Sequence, residues 1–145
     1  MSHHVHKVTA FKVTVEDRPG TLQQVTADLR EGGAVLKALW AWTEEEGQAT
    51  VMFVPQDAAQ VTGCGCATCR SAQPVPVIWL EEADRPGALD DFLQPLAAAE
   101  ISLHAVQAIA TGGNYVAIFS FADEATLDRA LAAAGGGCGC GCGCG

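Results

Sequence analysis

The tetrapeptide Asp17-Arg18-Pro19-Gly20 returns as Asp84-Arg85-Pro86-Gly87, an offset of 67 residues. At the same offset Leu22, Val25 and Leu29 fall opposite Leu89, Phe92 and Leu96, and Leu36 falls opposite Leu103. A chain of 145 residues that repeats itself once in this way is two copies of one small module sharing a core. The repeated tetrapeptide and the region between the copies are therefore where function is expected. Cysteine is what the copies do not share in register.

In the first copy, Phe11, Val13 and Val15 alternate with Lys12 and Thr14, the period of a strand with one buried face. Pro19-Gly20 breaks that strand, and Leu22, Val25 and Leu29 give Thr21 to Arg30 a helical spacing that Gly32-Gly33 ends. Val35 to Trp42 and Gln48 to Val54 read as two further strands around an acidic turn at Glu44 to Gly47. The second copy repeats the order with strand Val75 to Leu80, helix Ala88 to Ala99 and strand Ile101 to Ile109. After the turn Thr111-Gly112-Gly113-Asn114 come strand Tyr115 to Phe121 and helix Glu124 to Ala134. Pro95 is expected to kink or shorten its helix. The second helix of copy one starts at Asp57 but meets Gly63 and Gly65, so it is expected to stop early or give way to a loop. The closing strand of copy two is replaced by Gly135-Gly136-Gly137 and a Cys-Gly tail.

The order of elements is that of a βαββαβ unit. With the duplicated Asp-x-Pro-Gly-x-Leu pattern, at Asp17 to Leu22 and Asp84 to Leu89, the chain resembles the ACT-domain family in its small stand-alone tandem form. The resemblance covers roughly Val5 to Ala134 and implies an α+β fold of two ferredoxin-like βαββαβ units, antiparallel sheets with helices on one face. The expected division is 5–73 for unit one, with a Cys-rich segment at 63–70, then 74–134 for unit two and 135–145 for a Gly/Cys tail. ACT domains typically bind amino acids or other small ligands and report occupancy to an attached enzyme or regulator. No enzyme or DNA-binding pattern accompanies the units here, so the output is expected from a downstream partner protein.

The duplicated turn also makes a physical case for a ligand. Gly20 and Gly87 let the backbone approach a small molecule closely, and the helix that follows each offers unpaired N–H groups to a carboxylate. Asp17 and Asp84 are placed to hold an ammonium group or to cap the turn. The candidate residues are Asp17, Arg18, Pro19, Gly20, Thr21 and Leu22, with Asp84, Arg85, Pro86, Gly87, Ala88 and Leu89. In the family the opposite wall comes from the second strand of a neighbouring unit. That maps to Val35 and Leu36, and to Ser102 and Leu103. The plainer reading is a tight strand-to-helix turn and nothing more.

All seven cysteines lie in two segments: Cys64, Cys66 and Cys69, then Cys138, Cys140, Cys142 and Cys144. An odd number is not used up by disulfides, and a reducing cytosol disfavours them. In a flat strand the two cysteines of a Cys-x-Cys stand ~7 Å apart, whereas a zinc ion with bonds of ~2.3 Å needs sulfurs roughly 4 Å apart. The backbone must curl, and the glycines permit it. Soft thiolates favour Cu(I), Zn or an Fe–S cluster, and the two segments are expected to act together. Three other readings compete. The Gly/Cys tail is low-complexity chain; the Cys66-x-x-Cys69 pair serves thiol redox chemistry; or the tail is the core of a ribosomally made precursor peptide whose cysteines are enzymatically modified.

Composition narrows the partners. Seventeen acidic against eight basic residues give a formal charge of −9, which argues against nucleic acid and anionic membranes. No apolar run approaches the ~20 residues of a membrane span, and the N-terminus has no signal-peptide core, so a soluble, cytoplasmic protein is expected, with homodimerisation left open. His3, His4 and His6 form a polar terminus with some capacity for Cu(II) or Ni(II). Trp40, Trp42 and Trp79 read as packing residues. Glu44 to Glu46 and Glu81-Glu82 read as solvated charge, and no nucleophile–base pattern or phosphate loop is present, so no enzymatic activity is expected.

Overall fold

The computed structural model describes residues 3–135, and they divide into two compact units. The first is Thr9–Val75; the second is 76–135 together with 3–8.

In the first unit, strand β1 (His3–Glu16) buries Phe11 and Val13 and exposes Lys12 and Thr14. It pairs antiparallel with β3 (Gln48–Pro55), Phe11 opposite Phe53 and Val13 opposite Val51, and the two phenyl rings stack at 5.8 Å. Strand β2 (Leu36–Thr43) pairs with the other side of β3, with an irregularity between Leu36 and Ala38. Helix α1 (Thr21–Glu31) lays Val25 and Leu29 onto the sheet, while Leu22 stays 43% exposed beside the turn. Its end is a paired-bond stop: Gly33 at φ +90° donates to the Arg30 carbonyl, and Ala34 donates to that of Leu29. After β3 come only two short helices, α2 (Ala59–Thr62) and α3 (Ala67–Ser71), separated at Gly63 to Cys66.

In the second unit, β4 (Gln73–Ala83) pairs antiparallel with β6 (Asn114–Ser120), which in turn pairs with β5 (Ala105–Thr111). Gly112 and Gly113, at φ +59° and +84°, make the two-residue hairpin turn. Helices α4 (Ala88–Ala98) and α5 (Glu124–Ala133) cover one face, burying Phe92, Leu96, Leu127 and Ala130 against Ile78, Leu80 and Phe119. Phe92 and Phe119 stack at 4.7 Å. Each unit is thus a ferredoxin-like arrangement of an antiparallel sheet with helices on one face.

Strands β1 and β4 each serve both units. Residues 3–8 of β1 belong to the second unit, where Val5 packs against the core and Lys7 Nζ reaches Glu124 at 2.7 Å and Asp128 at 2.9 Å on α5. Residues 73–75 of β4 belong to the first. The place of a closing strand in the second unit is therefore filled from the start of the chain.

Two details differ from the sequence reading. The strand expected at Ile101 begins at Ala105, because Glu100 adopts a left-handed φ of +58° and Ile101 folds back to donate to the Leu96 carbonyl. Helix α4 runs through Pro95 and ends three residues later; the one bond that Pro95 has no N–H to make is that to the Asp91 carbonyl. No described helix is long and apolar enough to cross a membrane.

Candidate functional site

The two Asp-Arg-Pro-Gly turns are built alike. The Asp17 amide donates to the Gly47 carbonyl at 2.8 Å, and the Asp84 amide to that of Gly113 at 2.9 Å, so each turn rests on its unit's hairpin. Gly20 and Gly87 occupy the left-handed region at φ +89° and +83°, where a side chain is strained. Their carbonyls accept the first helical bonds, from Gln24 and Asp91. The turn alone accounts for both glycines. Yet the space above them is open as well: a Cβ at either would meet no atom within 4 Å.

The surroundings of the two turns differ. In the second unit a cavity of about 440 Å³ opens beside the turn, lined by Asp84, Arg85, Gly87, Ala88 and Leu89. Asp90, Ala108, Ile109, Ala110 and Tyr115 complete its wall. The Arg85 guanidinium binds Asp91 at 2.7 Å, a contact that holds its proton more firmly than usual. Tyr115 is buried and donates to the Glu82 carboxylate at 2.7 Å; burial first, and that bond second, push its ionisation above the ordinary range. Ile109, 68% exposed, leaves an apolar strip on β5 facing solvent.

In the first unit Trp42 stands where Ile109 stands in the second, and Gln48 where Tyr115 stands. The Trp42 indole N–H donates to Glu44, which also accepts from Thr50 at 2.8 Å. Arg18 lies 3.7 Å from Glu16 on the surface. Thr21 Oγ1 is buried there without a hydrogen-bond partner among the described residues.

The remaining candidates fall outside the cavity lining. Pro19, Leu22 and Pro86 are exposed; Val35 is exposed and its amide donates to Gln60 at 3.1 Å. Leu36 and Leu103 pack at the edges of their own cores, and Ser102 is exposed in the loop before β5. The sequence reading missed Asp90, Ala108 to Ala110 and Tyr115. Their signal was available in the hairpin, since the turn at Gly112-Gly113 carries both of its flanking strands past the start of α4.

The second cluster is sulfur. Cys64, Cys66 and Cys69 place their sulfurs within 4.8 Å of one another, all three as free thiols. The curl that the flat-strand argument required is present. The Cys66 amide donates to Cys64 Sγ and the Cys69 amide to Cys66 Sγ, each at 3.3 Å, and Cys66 thereby caps α3. Arg70 closes the loop onto the Gly65 carbonyl at 2.9 Å. Thr68, itself buried, ties α3 to α1 through Asp28 at 2.9 Å. Hydrogen bonds from Cys69 and from the Cys66 amide favour the Cys64 thiolate, whereas burial holds the Cys69 thiol protonated. Cys138, Cys140, Cys142 and Cys144 lie outside the described residues.

No family model and no curated protein matches the chain. Solved structures do. Protein BT0572 from Bacteroides thetaiotaomicron matches at a TM-score of 0.73 with 16% identity, over 88% of each chain. The ligand-free regulatory subunit of aspartate kinase from Thermus thermophilus matches at 0.55 with 14% identity, over 91% of this chain and 93% of its own. Aspartate kinase from Clostridium acetobutylicum matches at 0.57 with 10% identity; 90% of this chain is covered by 33% of that enzyme. At these identities the likeness is one of fold.

Proposed function

We propose that this chain, a tandem ACT-type fold, is a non-catalytic regulatory module that takes a small amino-acid-like ligand in its second unit and a soft metal ion in its first. The observation that carries the ligand reading is the cavity of about 440 Å³ at the very turn that the sequence duplicates. Its wall suits a zwitterion. The first turn of α4 has amides without intrahelical partners, which favour a carboxylate; Asp84 and Asp90 favour an ammonium group; and Ala108, Ile109 and Ala110 suit an apolar side chain. The lining contains no serine, cysteine or histidine, and its one hydroxyl, that of Tyr115, is buried, bonded to Glu82 and held protonated, which makes it a poor nucleophile. Regulatory subunits of aspartate kinase share the fold, which favours a regulatory role whose output passes to a partner protein; we place that role in the cytoplasm.

The metal reading rests on the three converging sulfurs, whose softness favours Cu(I), Zn or an Fe–S cluster over hard cations. A thiol redox couple is the second reading, favoured by the 3.1 Å separation of the Cys64 and Cys66 sulfurs. Calorimetric titration of the full chain with the proteinogenic amino acids tests the ligand reading. Binding of at least one, at micromolar to millimolar strength, is expected. Silence across the set contradicts it. Thiol counting after mild oxidation separates the sulfur readings, because a redox couple loses two thiols together.

A further inference from the structure

We infer that Cys64, Cys66 and Cys69 form a mononuclear, three-coordinate Cu(I) site, and that Gly32 on the far end of α1 is the residue that makes room for it. This deepens the soft-metal reading above and rests on it. Three features of the cluster select among the soft metals.

The first is convergence. Sulfurs that all lie within 4.8 Å of one another point at one ion. An iron–sulfur cluster is held by four cysteines distributed over two or more irons, whereas the three described sulfurs gather about a single point. The second is donor number. Among the described residues no histidine, aspartate or glutamate joins the three sulfurs. A structural zinc site is closed by four protein ligands; the three described thiolates by themselves leave zinc one short but satisfy Cu(I), a closed-shell soft ion content with trigonal sulfur. The third is shielding. Cys69 is only 7% exposed and is part of the first unit's core, while Cys64 and Cys66 are half-buried, so a bound Cu(I) is screened from water and oxidant on that side. The amide bonds to Cys64 and Cys66 Sγ take up part of the negative charge that three thiolates accumulate.

Gly32 supplies the independent mark of design. Its φ of −79° is ordinary for any residue, so the backbone does not demand glycine. What favours it is Cys64: a Cβ built on Gly32 would meet the Cys64 sulfur, so a side chain there would force that sulfur to turn out of its present position in the cluster. The helix end has been kept bare where a sulfur comes down on it. The Thr68–Asp28 bond then fixes α3 and Cys69 against the same helix. Loading is an exchange in which the thiols release their protons as Cu(I) binds, with no change of oxidation state.

The experiment uses the full-length reduced protein with Cys138, Cys140, Cys142 and Cys144 all changed to Ser, titrated anaerobically with Cu(I) against a chromophoric chelator, and separately with Zn(II). One Cu(I) per chain is expected, with three sulfur neighbours by X-ray absorption. Gly32→Ala, which removes no sulfur, is expected to weaken binding by about 10–100-fold, the usual effect of disturbing a group behind a ligand. Cys64→Ser, Cys66→Ser and Cys69→Ser should each weaken it further while the circular dichroism of the fold is kept. Tight Zn(II) with weak Cu(I), or a two-sulfur copper site, overturns the copper assignment and leaves the soft-metal reading standing. If no metal binds, both fail. Cu(I) binding indifferent to Gly32→Ala overturns the role given to that glycine.

Discussion

The two units begin identically and end differently. Each runs a strand into Asp-Arg-Pro-Gly, docks that turn on a hairpin glycine, and starts a helix from a left-handed glycine. Beyond that point the second unit spends its sequence on a continuous α5 and an open cavity, whereas the first breaks the matching helix into α2 and α3 and fills the break with sulfur. The lesson is that duplication fixes a scaffold, and the residues just outside the duplicated pattern assign the work. Ile109 and Tyr115 line the cavity at the second turn, and the first unit has Trp42 and Gln48 at the matching positions.

The cores offer the strongest way to break the comparison. The first unit stacks Phe11 on Phe53 between neighbouring strands, and the second stacks Phe92 on Phe119 between helix and sheet. Phe119→Ala is expected to cost about 3–5 kcal/mol in a denaturant titration, and Phe53→Ala a similar amount. If either costs under about 1 kcal/mol, that unit is not held together by the core described above.

Tyr115 gives a smaller and more selective test. It is the sole tyrosine of the chain, so its phenolate absorbance reports one site. Its folded ionisation is raised by burial and by Glu82. A raised value means that its contribution to stability is fully present below the unfolded value of about 10 and is lost as pH climbs above it towards the folded value. Spectroscopic titration should show no phenolate near pH 10 in the folded protein, and Tyr115→Phe should flatten the alkaline fall in stability. Ionisation at the ordinary value would mean that Tyr115 is open to solvent.

The helix ends give the smallest effect. Gly33 and Glu100 are equivalent, and both take a left-handed φ, +90° and +58°. Only the glycine does so without strain. Glu100→Gly is expected to stabilise the second unit by up to about 1 kcal/mol, seen as a higher denaturation midpoint; a loss of stability would show that the Glu100 side chain has a role of its own.

Much of this was legible in the sequence because the signals were local. Alternation at Phe11 to Val15, the helical spacing of Val25 and Leu29, and Gly63 with Gly65 as breakers each act within a few residues. The strands shared by both units were not legible. Nothing in His3 to Val8 says that it closes the unit beginning at Pro76, since its partners on α5, Glu124 and Asp128, are over a hundred residues away. The displaced start of β5 was hidden for a related reason: Ile101 to Leu103 look like strand residues by type, but Glu100 turns the chain before they can extend. At the sulfur site, composition announced cysteines but not convergence, which depends on the α3 cap and on a bare Gly32 thirty-two residues before Cys64.

The central claim is that one of two matched turns binds the ligand. It is tested most directly by titrating the ligand found in the amino-acid screen into full-length Gly20→Val and Gly87→Val, with circular dichroism as the check on folding. Both substitutions place a side chain where φ is positive, at about 1–2 kcal/mol of strain each, so their effects on stability should be alike. The account predicts that Gly87→Val abolishes binding and that Gly20→Val keeps it within about threefold, a difference under 1 kcal/mol by the usual conversion. Retention of binding by Gly87→Val with loss in Gly20→Val would contradict it.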